Sequence, residues 1–321
     1  MVKTQEPANP SPAAPATDTP TSPLTALLPE LAAVAVVLVW ASTFVLTKNA
    51  YEEFRPLAFA FVRFIGIILV AFGALAIRSR GGDRDAWWRI DRADAPRLVV
   101  SGVFGYCFYQ LGFTLGLAHT SPFSSSLMIA MMPLATLVIV AAMGERPAAA
   151  VWLGALIALA GVAIFLSNRS GDSGMLGNVL SFGAAVSFAF YGIVSRPLVK
   201  KYRAETFSAF STLAGAIPLL LVSLPDAIRQ DWSLISGTSW LVMAYMFIFP
   251  VYLAYMLWNW AIKHRGVAIA GWNMLVPVVS GVLAALFYGE SFGPVKLLGG
   301  ALALLGLILM RRPPKRPAIR A

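Results

Sequence analysis

Apolar runs of about 20 residues follow one another from residue 27 to residue 310 of this 321-residue chain, and they restrict its fold more than any other feature. A helix rises about 1.5 Å per residue, so such a run matches the roughly 30 Å hydrocarbon core of a bilayer. Inside hydrocarbon every backbone N–H and C=O must be satisfied within the protein, which leaves helices as the solution for single runs of this length. Spanning helices read at 27–48, 57–77, 97–118, 122–143, 148–167, 175–195, 205–224, 238–262, 267–288 and 294–310. Only 12% of residues are charged, against roughly a quarter in soluble domains, too few to cover a water-facing surface. The expected fold is an all-α polytopic membrane protein with ten transmembrane helices.

The basic residues set the orientation. With the N-terminus in the cytoplasm, nineteen Lys and Arg fall on the cytoplasmic side and five (Lys48, Arg55, Arg169, Arg229 and Lys296) on the other. This bias puts both termini inside a cell (inner or plasma) membrane, and an odd helix count would scramble it. The net charge of +10 therefore reads as topology, with membrane lipid as partner and no role for nucleic acid. Residues 1–24, rich in Pro, Ala, Thr and Ser, read as a disordered tail without the features of a signal peptide, and 311–321 as a basic cytoplasmic tail. Cys107 stands alone in an apolar run, which excludes a disulfide within the chain.

The sequence repeats. A shift of 145 lays His119 on His264, Gly144-Glu145 on Gly289-Glu290, Gly154 on Gly299, Ala158 on Ala303 and Gly161 on Gly306. A shift of 148 lays Trp40 on Phe188, Lys48 on Arg196 and Phe59 on Phe207. Pro133 and Pro277 align after a one-residue slip and should bend the fourth and ninth helices. A unit of five spans is odd, so its second copy inserts upside down. The expected domains are two inverted five-helix repeats, 25–167 and 168–310. Inverted repeats are a recurrent transporter design, with substrate held near the midplane between the halves.

The repeat layout, the Trp40-bearing first helix, the Gly-Glu pairs closing helices four and nine, and the Gly-spaced helices after them resemble the EamA-type branch of the drug/metabolite transporter superfamily. The resemblance runs from about residue 27 to 310. It implies ten helices, two inverted repeats, a central cavity and export of metabolites or drugs, with no substrate specified.

Arg63 is the only charge well inside a span. Insertion scales put an intramembrane Arg at a cost of roughly 3 kcal/mol, so such a residue faces the bundle interior or a wet cavity. Two readings stand: a contact to an anionic group or a gate latch, or snorkelling outward to carbonyls or to Glu52 and Glu53. The other candidate cavity residues are Trp40 and Thr43 in helix one, and Tyr106, Tyr109 and Gln110 in helix three. Helix four adds Ser125 and Met128, helix six Tyr191, helix eight Tyr252, Tyr255 and Asn259, and helix nine Asn273. Polar groups avoid lipid, so they should turn inward around a neutral, aromatic-walled cavity. Helix packing or an interfacial belt is the competing reading for each. Gly154, Ala158, Gly161 and their copies Gly299, Ala303 and Gly306 read as close-packing faces, within the bundle or at a dimer seam.

The function read from these features is secondary transport of small organic metabolites, an exporter of amino-acid-like or drug-like solutes working by alternating access, as monomer or homodimer. No P-loop supplies ATP drive, and no cofactor or metal is expected. Intramembrane enzymes need paired carboxylates, a His-bearing metal motif or an activated nucleophile. This chain has two His, one Cys and no Asp or Glu near the midplane, so the expectation is no enzyme. A lipid-facing flippase is the alternative within transport.

Overall fold

The computed structural model describes residues 23–81, 88–167 and 174–310, all helices, turns and connecting loops with no strand among them. The bulk of both tails, residues 1–22 and 311–321, lies outside the described residues, as do Arg84, Arg169 and the side chain of Tyr252. Among the described residues nine helices have the length and composition to cross a membrane: α1 (Leu27–Ala50), α2 (Pro56–Arg78), α3 (Ala95–Ala118), α4 (Pro122–Ala142), α5 (Ala149–Ser167), α6 (Met175–Val194), α7 (Ala204–Arg229), α8 (Gly237–His264) and α9 (Gly271–Tyr288). A tenth, α10 (Pro294–Met310), is apolar and 17 residues long. Large apolar side chains lie bare around the bundle, among them Leu69, Leu156, Leu241 and Leu286 at 62–75% exposure. A surface of that kind is matched to lipid, not water. The protein is a multi-pass membrane protein.

Helix ends follow local chemistry. Pro56, Pro122 and Pro294 open α2, α4 and α10, where their missing N–H costs nothing. The Ser121 and Ser236 hydroxyls accept from the Ser124 and Ser239 amides at the starts of α4 and α8. Gly289 closes α9 in the left-handed conformation (φ 61°) that glycine adopts without strain. The seventh helix departs from expectation by running to Arg229 instead of 224. Pro225 does not stop it, because the added turn is held: Asp226 pairs with Arg55 at 3.7 Å, and the Ala227 carbonyl accepts from the Trp232 indole at 3.1 Å.

The two halves interlock with inverted symmetry. Helix α3 packs on α6, and its counterpart α8 packs on α1; α4 packs on α6, and α9 on α1. Helices α2 and α7 pack on each other, as do α5 and α10. Each contact between halves thus recurs with the halves exchanged, and α1 and α6 are each embedded in the opposite repeat. The α5–α10 seam is the most intimate. A Cβ on Gly161 would fall 2.7 Å from the Gly299 carbonyl oxygen, and one on Gly306 2.6 Å from that of Gly154. The two small-residue faces are spent on each other within one chain. Gly112 and Gly116 make a similar seam with α6, where a Cβ on Gly177 would meet the Gly116 carbonyl at 2.7 Å.

The loops obey the same symmetry. On the face carrying the start of α1 and the end of α10 (the terminal face), Asp94 accepts from Lys201 Nζ and the Tyr202 hydroxyl, both at 2.6 Å, and Lys201 also pairs with Asp91. On the opposite face the Glu53 carboxylate accepts from the Ser236 amide at 2.7 Å, while Gln230 accepts from the Arg55 amide and donates to the Glu53 carbonyl. Lys201 and Tyr202 hold the Asp94 carboxyl below its ordinary range; the Ser236 amide and the Ser236 and Ser239 hydroxyls do so for Glu53.

Candidate functional site

Four helices are irregular where the halves meet, in two symmetry-related pairs. Helix α3 widens into a π-segment at Val103–Phe108, and α8 does so at Phe249–Leu253. In α8 the cause is local: Pro250 has no N–H to give and its ring crowds the carbonyl four residues back. In α3 it is tertiary. Gly102 and Gly105 are pressed against α7 and α6, so that a Cβ on Gly105 would fall 2.5 Å from the Tyr191 ring. Such π-segments re-aim side chains and recur at functional sites. Helix α4 breaks at Met131, two residues before Pro133, and α9 runs as a 3-10 segment to Met274 before its α-helix begins at Leu275. The two prolines therefore act at corresponding depths in the two repeats.

An aromatic group gathers beside the π-segments. The Trp40 ring lies edge-on to Tyr255 with centroids 5.9 Å apart and beside Trp258 at 5.4 Å. At the symmetry-related junction of α3 with α6, Tyr106 meets Tyr191 at 5.8 Å, Phe188 meets Tyr191 at 5.1 Å, and Tyr109 meets Phe188 at 4.9 Å. Tyr255 is within electrostatic reach of Tyr106, Tyr109 and Tyr191, which joins the two clusters. It is nonetheless 48% exposed. These residues stand on α1, α3, α6 and α8, the helices at which the two halves meet. Asn259 is exposed one turn further along α8, towards the terminal face. Asn273 is half-buried on α9, with its Oδ1 buried and without a partner among the described residues.

Arg63 is 8% exposed, its Cζ 5.8 Å from the centre of the Phe113 ring and its charge in reach of the Tyr51 and Tyr109 hydroxyls. Its Nε and Nη1 are buried and donate to nothing among the described residues, and the Tyr51 hydroxyl is likewise buried, with the Thr114 side chain in reach but no well-formed hydrogen bond between them. No carboxylate among the described residues pairs with it. The snorkelling reading is thereby corrected: Glu53 is occupied by Ser236, and the guanidinium turns inward over Phe113, not outward. Gln110, beside this group, is buried and donates from Nε2 to the Thr114 hydroxyl at 2.8 Å.

Three other expected cavity residues sit elsewhere. Ser125 is fully buried with its hydroxyl 2.9 Å from that of Ser181, bridging α4 and α6. Met128 lies in the core that α4 shares with α5 and α10. Thr43 is buried and donates back to the Val39 carbonyl at 3.0 Å. An inward-facing residue can meet a neighbouring helix as readily as a cavity, as Ser125 and Met128 do, while Thr43 returns its hydroxyl to its own helix. Sequence reasoning in turn missed Tyr51, Phe113, Thr114 and Phe188. Tyr51 lies just past the end of its apolar run and carried no periodic signal; the other three read as ordinary interior residues.

Comparison with known proteins agrees with this architecture. The model of the EamA-like transporter family matches residues 27–167 and 175–312, one match per repeat. The chain is 26% identical to a protein of Streptantibioticus cattleyicolor described as a probable terminal-alkyne amino-acid exporter, over 88% of this chain and 92% of that one. It is 26% identical to a probable amino-acid metabolite efflux pump of Salmonella typhimurium, over 86% and 92% of the two chains. A solved crystal structure shares the fold at a TM-score of 0.60 and 22% identity, covering 88% of this chain and 96% of its own. With both halves matched, the chain belongs to the EamA-like transporter family of the drug/metabolite transporter superfamily and is a membrane transporter of small molecules.

Proposed function

We propose that this protein exports amino-acid-like or drug-like organic solutes across the cell membrane by alternating access, with both termini in the cytoplasm. The observation that carries the reading is the aromatic group of Trp40, Tyr106, Tyr109, Tyr191 and Tyr255 beside matching π-segments of symmetry-equivalent helices, which we read as the wall of a substrate chamber. Aromatic walls with a few hydroxyls and amides suit a solute with an apolar body and a small polar head. Inverted halves supply a second state of about equal energy in which the chamber opens to the other side. Two relatives described as a probable exporter and a probable efflux pump support the outward direction and the amino-acid-like class.

The test is a metabolite comparison between medium and cytoplasm in cells producing the wild-type protein or Tyr255→Ala. Amino-acid-like solutes should accumulate in the medium only with the wild type. Equal profiles, with both proteins present in the membrane, would contradict the reading.

A further inference from the structure

Resting on that reading, we infer that Arg63 and Tyr51 form the subsite for the carboxylate head of the transported solute, so that the substrates are carboxylates with an apolar body. Arg63 is over nine-tenths buried, and two of its three guanidinium nitrogens have no acceptor among the described residues. A buried unpaired charge is among the most costly arrangements in a protein and persists where something else completes it. Structural arginines of this chain look different: Arg55, Arg78 and Arg196 are more than half exposed and paired with Asp226, Glu205 and Glu145.

The surroundings select the anion. Tyr51 offers a second buried hydroxyl within electrostatic reach of the guanidinium, with Thr114 its one neighbouring hydroxyl in hydrogen-bonding reach. The planar guanidinium matches the two oxygens of a carboxylate, which a charge-assisted contact holds more strongly than a neutral amide. Tyr109 links this corner to the aromatic chamber, stacking on Phe113 with centroids 6.3 Å apart and packing on Phe188 at 4.9 Å. A solute anchored by its carboxylate at Arg63 therefore lays its body along Tyr109 and into the chamber. An oxyanion in this corner has another source, the phosphate of a lipid head group, and the experiment separates the two.

Full-length protein in phosphatidylcholine nanodiscs is titrated with N-acetyl-L-phenylalanine and with its neutral isostere N-acetyl-L-phenylalaninamide, read by tryptophan emission. The wild type should bind the carboxylate about 10- to 100-fold more tightly than the amide. Arg63→Gln should abolish that preference, weakening carboxylate binding far more than amide binding. Should Arg63→Gln fail to fold, Tyr51→Phe reads the same preference and should reduce it about 2- to 10-fold. An undiminished preference in the folded variants, or none in the wild type, overturns the assignment. So does loss of carboxylate binding when phosphatidylglycerol replaces phosphatidylcholine, which would give the corner to lipid. Proteoliposome flux of the amide reports on transport separately: amide flux without carboxylate preference removes the subsite alone, and carboxylate binding without any flux removes the transport mechanism alone.

Discussion

The Trp40 indole donates to the carbonyl oxygen of Pro250 at 3.2 Å, so the first helix of one repeat clasps the π-segment of the other. A π-segment leaves backbone carbonyls poorly served, and a donor from across the repeat boundary satisfies one of them. The same ring packs on Tyr255 and Trp258, coupling the shape of α8 to the aromatic group between the repeats.

Trp40→Phe keeps the aromatic edge and removes the donor. Interhelical hydrogen bonds in membrane proteins contribute about 1 kcal/mol. Thermal unfolding in detergent should show a loss of that order, and Trp40→Ala a larger one. An unchanged melting temperature in Trp40→Phe would mean the clasp contributes nothing.

The α5–α10 seam predicts a contrast between two glycines. Gly161→Ala drives a methyl against the α10 backbone near Ala303 and the Gly299 carbonyl, and only a backbone shift relieves it. The expected cost is about 1–3 kcal/mol. Gly183→Ala, on α6, meets nothing within 4 Å and should be neutral or stabilising. Melting temperatures of the two variants decide it; equal effects would show that the seam tolerates spreading.

The loop carboxylates predict how stability depends on pH. Asp94 is held below its ordinary pKa by Lys201 and Tyr202, so its contribution is complete above about pH 4. It fades as pH falls through the depressed value. Lys201 is raised by Asp91 and Asp94, so its share is present below its own ordinary range, about pH 10, and is lost only on strong alkalinisation. Asp94→Asn should therefore be less stable than wild type at pH 7, by a margin that shrinks towards pH 3 and in high salt. A margin constant from pH 7 to pH 3 would remove the carboxylate from the account.

How far the sequence was legible depends on which force set each feature. Hydrocarbon thickness fixes span length, so ten spans could be read with ends within a few residues, α7 excepted, where Asp226 and Ala227 find partners that composition does not announce. The inversion followed from recurring Gly-Glu pairs and an odd span count. The π-segments were not legible as a pair, because Pro250 marks only one and the other arises from α3 pressed on α6 and α7. The aromatic members of the expected site, Trp40, Tyr106, Tyr109, Tyr191 and Tyr255, do come together. Ser125, Met128 and Thr43 do not join them, since polarity and periodicity say that a residue turns inward but not whether it meets a space or a helix.

The most direct test of alternating access uses the symmetry itself. Glu52 and Ser291 are exposed on the opposite face, and the repeat shifts map them onto Lys200 and Arg146, exposed on the terminal face. Spin-label pairs at 52/291 and at 200/146, in a Cys107→Ser background, report one distance at each face by double electron–electron resonance. If the halves exchange conformations, substrate should move the two distance distributions in opposite senses, one pair widening as the other narrows. Two rigid distributions, or two that widen together, would contradict the account.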